Sequence, residues 1–357
     1  MTAARAPETS VGGLLAVGLP GLELDAATDA RLRDIGPACV ILFRRNVDSP
    51  EQLRALTREL HALPSRPFVA VDQEGGRVAR LREPFTRLPP AARIGATGDP
   101  EIAYRVGRLL ARELRSVGID LDFAPVLDVC DNPVNDVIGD RGFGATPEHV
   151  TAMAIALHRG LRDGGVLSCG KHFPGHGNTN EDSHFFLPVV RRTRAEWEAV
   201  ERPPFRAAIA AGIPMLLTAH VLHTALDPDV PATLSPRIVR GLLRDELGFA
   251  GVIATDDMDM KAIVDHYPAG EAAVRAVAAG CDLVMSCQSL DSALVVRDAL
   301  AAALAAGSID AQAVTQSLAR IEHLRESCPP AAPVDCRLPC PEHVALVAEI
   351  ENRTSRS

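Results

Sequence analysis

The chain has 357 residues, 37 Lys and Arg against 46 Asp and Glu, a formal net charge of −9 and 47% hydrophobic residues. That hydrophobic share supports a sizeable core, and the acidic balance, with no basic run or aromatic-interleaved stripe, argues against a phosphate-backbone partner, so no nucleic acid is expected. The longest apolar stretch, 207–219, is too short to span a bilayer and is broken by Gly212 and Pro214, so no membrane partner is expected.

The first residues, MTAARAPETSVGGLLAVGLPG, show no basic cluster leading into an apolar segment with a small-residue cleavage site, which sets the expectation of a cytoplasmic protein. Eight short apolar runs then follow in chain order: GGLLAVGL, ACVILF, PFVAVDQEGG, GIDLDFAPVLDV, GVLSCGKHF, PMLLTAHV, GVIATDDM and CDLVMSC. Such runs suit strands buried on both faces. Most gaps between them hold Ala-, Leu-, Arg- and Glu-rich segments at helical spacing, such as EIAYRVGRLLARELRSVG.

Strand and helix alternating in this way predict an α/β fold, a single-domain (β/α)8 barrel of the TIM type over residues 10–326, followed by a peripheral Pro- and Cys-containing tail over 327–357. The eight cysteines lack paired zinc-ribbon spacing, and Cys39, Cys169 and Cys281 read as reduced core side chains. Cys328, Cys336 and Cys340 cluster in the tail without an assigned role.

Polar residues gather where the runs end: Asp72 and Glu74 after the third, Asp128 after the fourth, Lys171 and His172 after the fifth, His220 after the sixth, Asp256 and Asp257 after the seventh. In a barrel of this kind those ends form the active-site mouth. Because strand side chains alternate between faces, Asp256 and Asp257 cannot both enter the mouth from a regular strand, and Asp257 is expected to orient a neighbour or cap a backbone group.

The stretch GKHFPGHGNTNEDSH, Gly170 to His184, packs three histidines, a lysine and two acids together. His172 and His176 stand four apart, but Pro174 and Gly175 between them argue against a helical zinc pair, and the first strand offers no ligand. A metal-dependent barrel hydrolase using some of His172, His176, His184, His220 and Asp256 is one reading. A proton relay is another, since Asp182 lies two residues from His184, near enough to orient the ring and stabilise its protonated form, while the local residues alone favour a solvated loop histidine. Gly175, Gly177 and Asn178 suggest a segment able to move His184 in and out of a pocket.

KHFPGHG followed by DSH, together with VDQEGGRVARLREPFTRLP, IGDRGFG, TAHV and GVIATDDMDMKAI in this order, closely resembles the β-N-acetylhexosaminidases of glycoside hydrolase family 3. The resemblance spans nearly the whole expected barrel. It implies Asp256 as nucleophile, His184 as acid/base with Asp182 as its partner, and a retaining mechanism through a glycosyl-Asp256 intermediate, in place of the usual two carboxylates. It carries over Asp72, Arg80, Arg141, Lys171 and His172 as sugar-binding groups, with no cofactor and no metal.

Gly142 departs from the Ser common in the family, which puts a minor hydrogen bond in doubt. The low aromatic content, 4%, fits a small pocket and exo action on one terminal sugar better than an open polysaccharide cleft. The substrate implied is β-linked N-acetylglucosamine on muropeptide fragments. Transfer of the sugar to phosphate, or a catalytically silent sugar sensor on the same barrel, are the alternatives. No motif speaks to the oligomeric state.

Overall fold

A computed structural model of the protein describes residues 11–179, 187–328 and 336–355. Among the described residues, eight parallel strands close into one barrel: β1 (Leu15–Gly18), β2 (Cys39–Leu42), β3 (Phe68–Val71), β4 (Leu121–Asp122), β5 (Leu167–Phe173), β6 (Met215–Thr218), β7 (Val252–Asp257) and β8 (Leu283–Ser286). Closure is made by β8 on β1, with Leu15 opposite Val284 and Val17 opposite Ser286. Each strand falls within one of the eight apolar runs. β1, β2, β3, β6 and β8 are buried at every residue, which is why their sequences show no polar alternation.

The outer layer comprises α1 (Ala26–Ile35), α2 (Pro50–His61), α3 (Pro100–Ser116), α4 (Pro147–Asp163), α5 (Arg202–Ala210), α6 (Ala269–Ala279), α7 (Leu290–Ala305) and α8 (Ala311–Ser327), with a π-helical turn series at Arg237–Glu246 after β6. Local sequence sets where these helices start. The side chains of Asp25, Ser49, Asp99, Ser289 and Asp310 each accept a first-turn N–H, and Pro50, Pro100 and Pro147 occupy first positions where no amide hydrogen is needed.

The fourth run is shorter as a strand than its apolar stretch suggests. Pro125 has no N–H to give to the ladder, so β4 ends at Asp122 and pairing resumes only as an isolated bridge between Val126 and Lys171. Beyond β3 the chain also leaves the barrel, and Gln73–Gly75 folds back on Val78–Ala79 as a small antiparallel hairpin at the mouth.

The segment after α8, expected to be peripheral, carries α9 (Pro341–Thr354), which docks outside the barrel against α3. Leu346 and Ile350 join the hydrophobic core there, and His343 Nδ1 lies 2.8 Å from Glu113 Oε1 in a buried contact. Among the described residues no helix is long and apolar enough to cross a membrane.

Candidate active site

A cavity of about 430 Å³ opens at the C-terminal ends of the strands, lined by Asp72 and Arg80 after β3, Arg141 from the loop after β4, Lys171 and His172 of β5, and Asp256 of β7. The barrel thus brings six of the expected site residues to one place. Asp182 and His184 lie outside the described residues.

Lys171 sits between two carboxylates, its Nζ 2.7 Å from Asp72 Oδ1 and 2.6 Å from Glu74 Oε1. Glu74 also receives a bidentate pair of hydrogen bonds from Arg141, Nε to Oε2 at 2.9 Å and Nη2 to Oε1 at 2.8 Å. Burial works to raise both acids, but Lys171 together with Arg141 on Glu74 and Arg80 on Asp72 outweighs it, and both carboxyls are held below their ordinary range. Arg80 donates to Asp72 Oδ2 at 3.3 Å, and its backbone N–H donates to Gln73 Oε1. Beneath them the buried Asp122 accepts from Gln73 N, supporting the turn between Asp72 and Glu74, and burial pushes its carboxyl well above the usual range.

His172 is fixed from both sides. Its Nδ1 lies 2.7 Å from Asp128 Oδ2 and its Nε2 lies 3.3 Å from Arg141 Nη2. A guanidinium has only donors, so Nε2 accepts and the ring hydrogen belongs to Nδ1, which donates to Asp128. The other oxygen of Asp128 accepts the His176 N–H at 2.7 Å. His176 Nδ1 contacts Thr179 Oγ1 at 2.8 Å, holding the turn of its own loop, while burial and His172 push the His176 ring down to about 4.

Asp256 and Asp257 both line the cavity, against the alternation expected of a regular strand. The pairing of β7 with β8 shifts register between Ala254 and Asp257, so the regular alternation is interrupted there. Asp257 nevertheless caps backbone groups, accepting from Cys287 N and Asp259 N at 3.2 Å each. His220 does not line the cavity. It is buried, with Nε2 donating to the Asp257 carbonyl at 3.0 Å, and so braces the end of β7.

The glycines read as conferring mobility are sites of close packing. A Cβ on Gly177 would lie 2.0 Å from the Val129 carbonyl, and Gly175, at φ 129°, would place one 2.5 Å from Glu201 Cγ. Sequence reasoning also passed over Glu74 and Asp128 as site residues. Both were visible as acids at strand ends, but their partners lie 67 and 44 residues away in the chain.

A sequence model described as the glycosyl hydrolase family 3 N terminal domain matches residues 8–324. A β-hexosaminidase of Alkalilimnicola ehrlichii is 44% identical over 282 residues, covering 77% of this chain and 80% of the relative. The structure of a glycoside hydrolase family 3 β-N-acetylglucosaminidase from Paenibacillus sp. str. FPU-7 superposes with a TM-score of 0.94 at 39% identity, over 98% of this chain and 69% of that one. NagZ from Neisseria gonorrhoeae, solved in complex with N-trifluoroacetyl-D-glucosamine, superposes with a TM-score of 0.77 at 34% identity, over 96% of this chain and 98% of that one. With a match along most of its length and a cavity built where such a barrel does its chemistry, the chain belongs to glycoside hydrolase family 3 and is a glycoside hydrolase.

Proposed function

We propose that the protein is a retaining, exo-acting β-N-acetylhexosaminidase that removes a terminal β-linked N-acetylglucosamine, with muropeptide fragments as its substrates. The observation that carries this reading is the sharing of one cavity by Asp256, Asp72, Lys171, Arg141 and His172, with Glu74 behind the wall joining Lys171 to Arg141. At about 430 Å³ the cavity stands toward the lower end of the ~300–1,000 Å³ common for small-molecule sites, in keeping with one pyranose unit. The amino-sugar complex of the gonococcal relative supports the same class of ligand.

In this reading the sugar enters with its hydroxyls against Asp72, which accepts, and Arg80, Arg141 and Lys171, which donate. Asp256 attacks the anomeric carbon as the glycosidic bond breaks, and His184 passes a proton to the departing oxygen. A glycosyl ester on Asp256 results. His184, oriented by Asp182, then takes a proton from water as that water attacks the anomeric carbon and releases Asp256. His172 serves here as a binding group whose tautomer is set by Asp128.

Trapping with a mechanism-based fluorosugar followed by peptide mass spectrometry should place the label on Asp256. A label on Asp257 would overturn the assignment. Release of the free sugar, not a sugar phosphate, in phosphate buffer separates hydrolysis from phosphorolysis.

A further inference from the structure

The hairpin after β3 begins and ends beside Asp72 and Arg80, which line the cavity, and holds Glu74 behind its wall. Gln73 makes the hairpin one unit. Its Oε1 accepts the N–H groups of Arg80 and Leu81 at 2.8 and 3.0 Å, and its Nε2 donates to the Leu81 carbonyl at 3.1 Å. The turn of the hairpin rests on the chain at Leu88 and Pro89. Gly76 donates its N–H to the Leu88 carbonyl at 3.0 Å, and a Cβ on Gly75, at φ 100°, would lie 2.6 Å from the Pro89 carbonyl oxygen. Whatever fixes that support also fixes where Asp72 and Arg80 stand.

Thr86, two residues before the support, is held from outside the barrel. Its N–H donates to Glu113 Oε2 at 3.0 Å and its hydroxyl donates to Glu113 Oε1 at 2.5 Å, while His343 Nδ1 of α9 lies 2.8 Å from the same Oε1. Thr86, Glu113 and His343 are 6, 4 and 6% exposed, so a partner lost from this cluster leaves a buried polar atom unsatisfied. The ion pairs of α9 with α3, Arg105–Glu349 and Arg112–Glu342, face solvent and hold the helix weakly by comparison. α9 lies beyond residue 324, where the family match ends, so one end of this clasp comes from the C-terminal segment.

We propose that His343, acting through Glu113 and Thr86, is a positioning residue for sugar binding: the C-terminal helix sets the place of the hairpin after β3 and thereby of Asp72 and Arg80. The inference rests on the reading of Asp72 and Arg80 as sugar-binding groups. None of His343, Glu113 and Thr86 lines the cavity, so their effect reaches the sugar through the hairpin.

The test measures kcat and KM on an aryl N-acetyl-β-glucosaminide and Ki for free N-acetylglucosamine, well below the Tm of every variant. H343A and T86V should raise KM and Ki about 3- to 30-fold with kcat nearly unchanged. H343N, whose side-chain amide offers a donor near the position of Nδ1, should return both constants toward wild type. Because the two residues lie on one path, H343A/T86V should lose no more than the worse single variant.

If H343A does not fold, T86V answers from the barrel side of the clasp, since it keeps the backbone N–H and loses only the hydroxyl. A lowered Tm with KM and Ki unchanged, an H343N no better than H343A, or additive losses in the double variant would overturn the inference. D72N separates it from the reading on which it rests. An unchanged Ki in D72N would overturn the binding role of Asp72, whereas a raised Ki in D72N beside wild-type values in H343A and T86V would overturn the positioning role alone.

Discussion

Gly142 and Cys130 occupy one volume between them: a Cβ placed on Gly142 would lie 2.3 Å from Cys130 Sγ. The glycine that departs from the family's common Ser is thus paired with a thiol that fills the neighbouring space. Burial pushes that thiol up to about 12, so it packs as an uncharged group.

This relationship predicts the outcome of a double-mutant cycle. G142S alone should destabilise the protein by about 1–3 kcal/mol through overpacking, and it should raise KM because Arg141 is the adjacent residue. C130A should relieve the strain, so that C130A/G142S recovers most of the loss, a coupling of roughly 0.5–3 kcal/mol in urea denaturation. Additive losses would show that the two positions do not share space.

Asp257 predicts a pH effect. Burial, with Asp259 and Asp256 adding their charges, pushes its carboxyl up to about 7 from an ordinary value of 3.8. In the proposed mechanism, with Asp256 as nucleophile, its ionisation would add a second negative charge near the centre where positive charge develops in the transition state. On an activated aryl glycoside, kcat/KM should therefore rise as pH climbs through about 7, and D257N should remove that rise.

Stability runs the other way. An acid with a raised folded-state value contributes stability that is fully present below its unfolded value and is lost as pH rises from about 4 through about 7, so D257N should flatten stability in that window. The Asn oxygen still accepts from Cys287 and Asp259, so the fold is retained. An unchanged pH profile in D257N would refute both statements.

Glu74 is predicted to matter for binding although it lies behind the cavity wall. Its side chain is 4% exposed and holds Lys171 and Arg141 together. E74Q leaves those two cations with one fewer buried counter-charge, a loss of ~3–5 kcal/mol by analogy with other broken buried pairs. Calorimetry should show a lowered Tm, and kinetics should show KM rising more than kcat falls. A fall in kcat at constant KM would assign Glu74 to the chemical step.

Chelation should leave activity intact. His172 Nε2 faces the Arg141 guanidinium and its Nδ1 is committed to Asp128, so this ring is unsuited to a cation. Among the described residues no group of three His, Cys, Asp or Glu is arranged to hold a metal ion. Activity lost on exhaustive EDTA treatment and restored by zinc would favour a metal-dependent reading instead.

The positions of the barrel strands were legible in the sequence because strands covered on both faces must be apolar throughout, and a run such as CVIL or FVAV has few other homes. Strand-end polarity likewise located the mouth, and the long motifs located the family. Local chemistry was sufficient there: each feature is set by residues near one another in the chain.

The working arrangement was decided by tertiary structure. Lys171 meets Asp72 across 99 positions and Arg141 meets Glu74 across 67, distances at which spacing carries no information until the barrel closes. The register shift that interrupts alternation at Asp256 and Asp257 belongs to the ladder between β7 and β8, not to the dipeptide. Gly175 and Gly177 stand where a side chain would meet Glu201 and the Val129 carbonyl, a close approach that only the packed chain reveals.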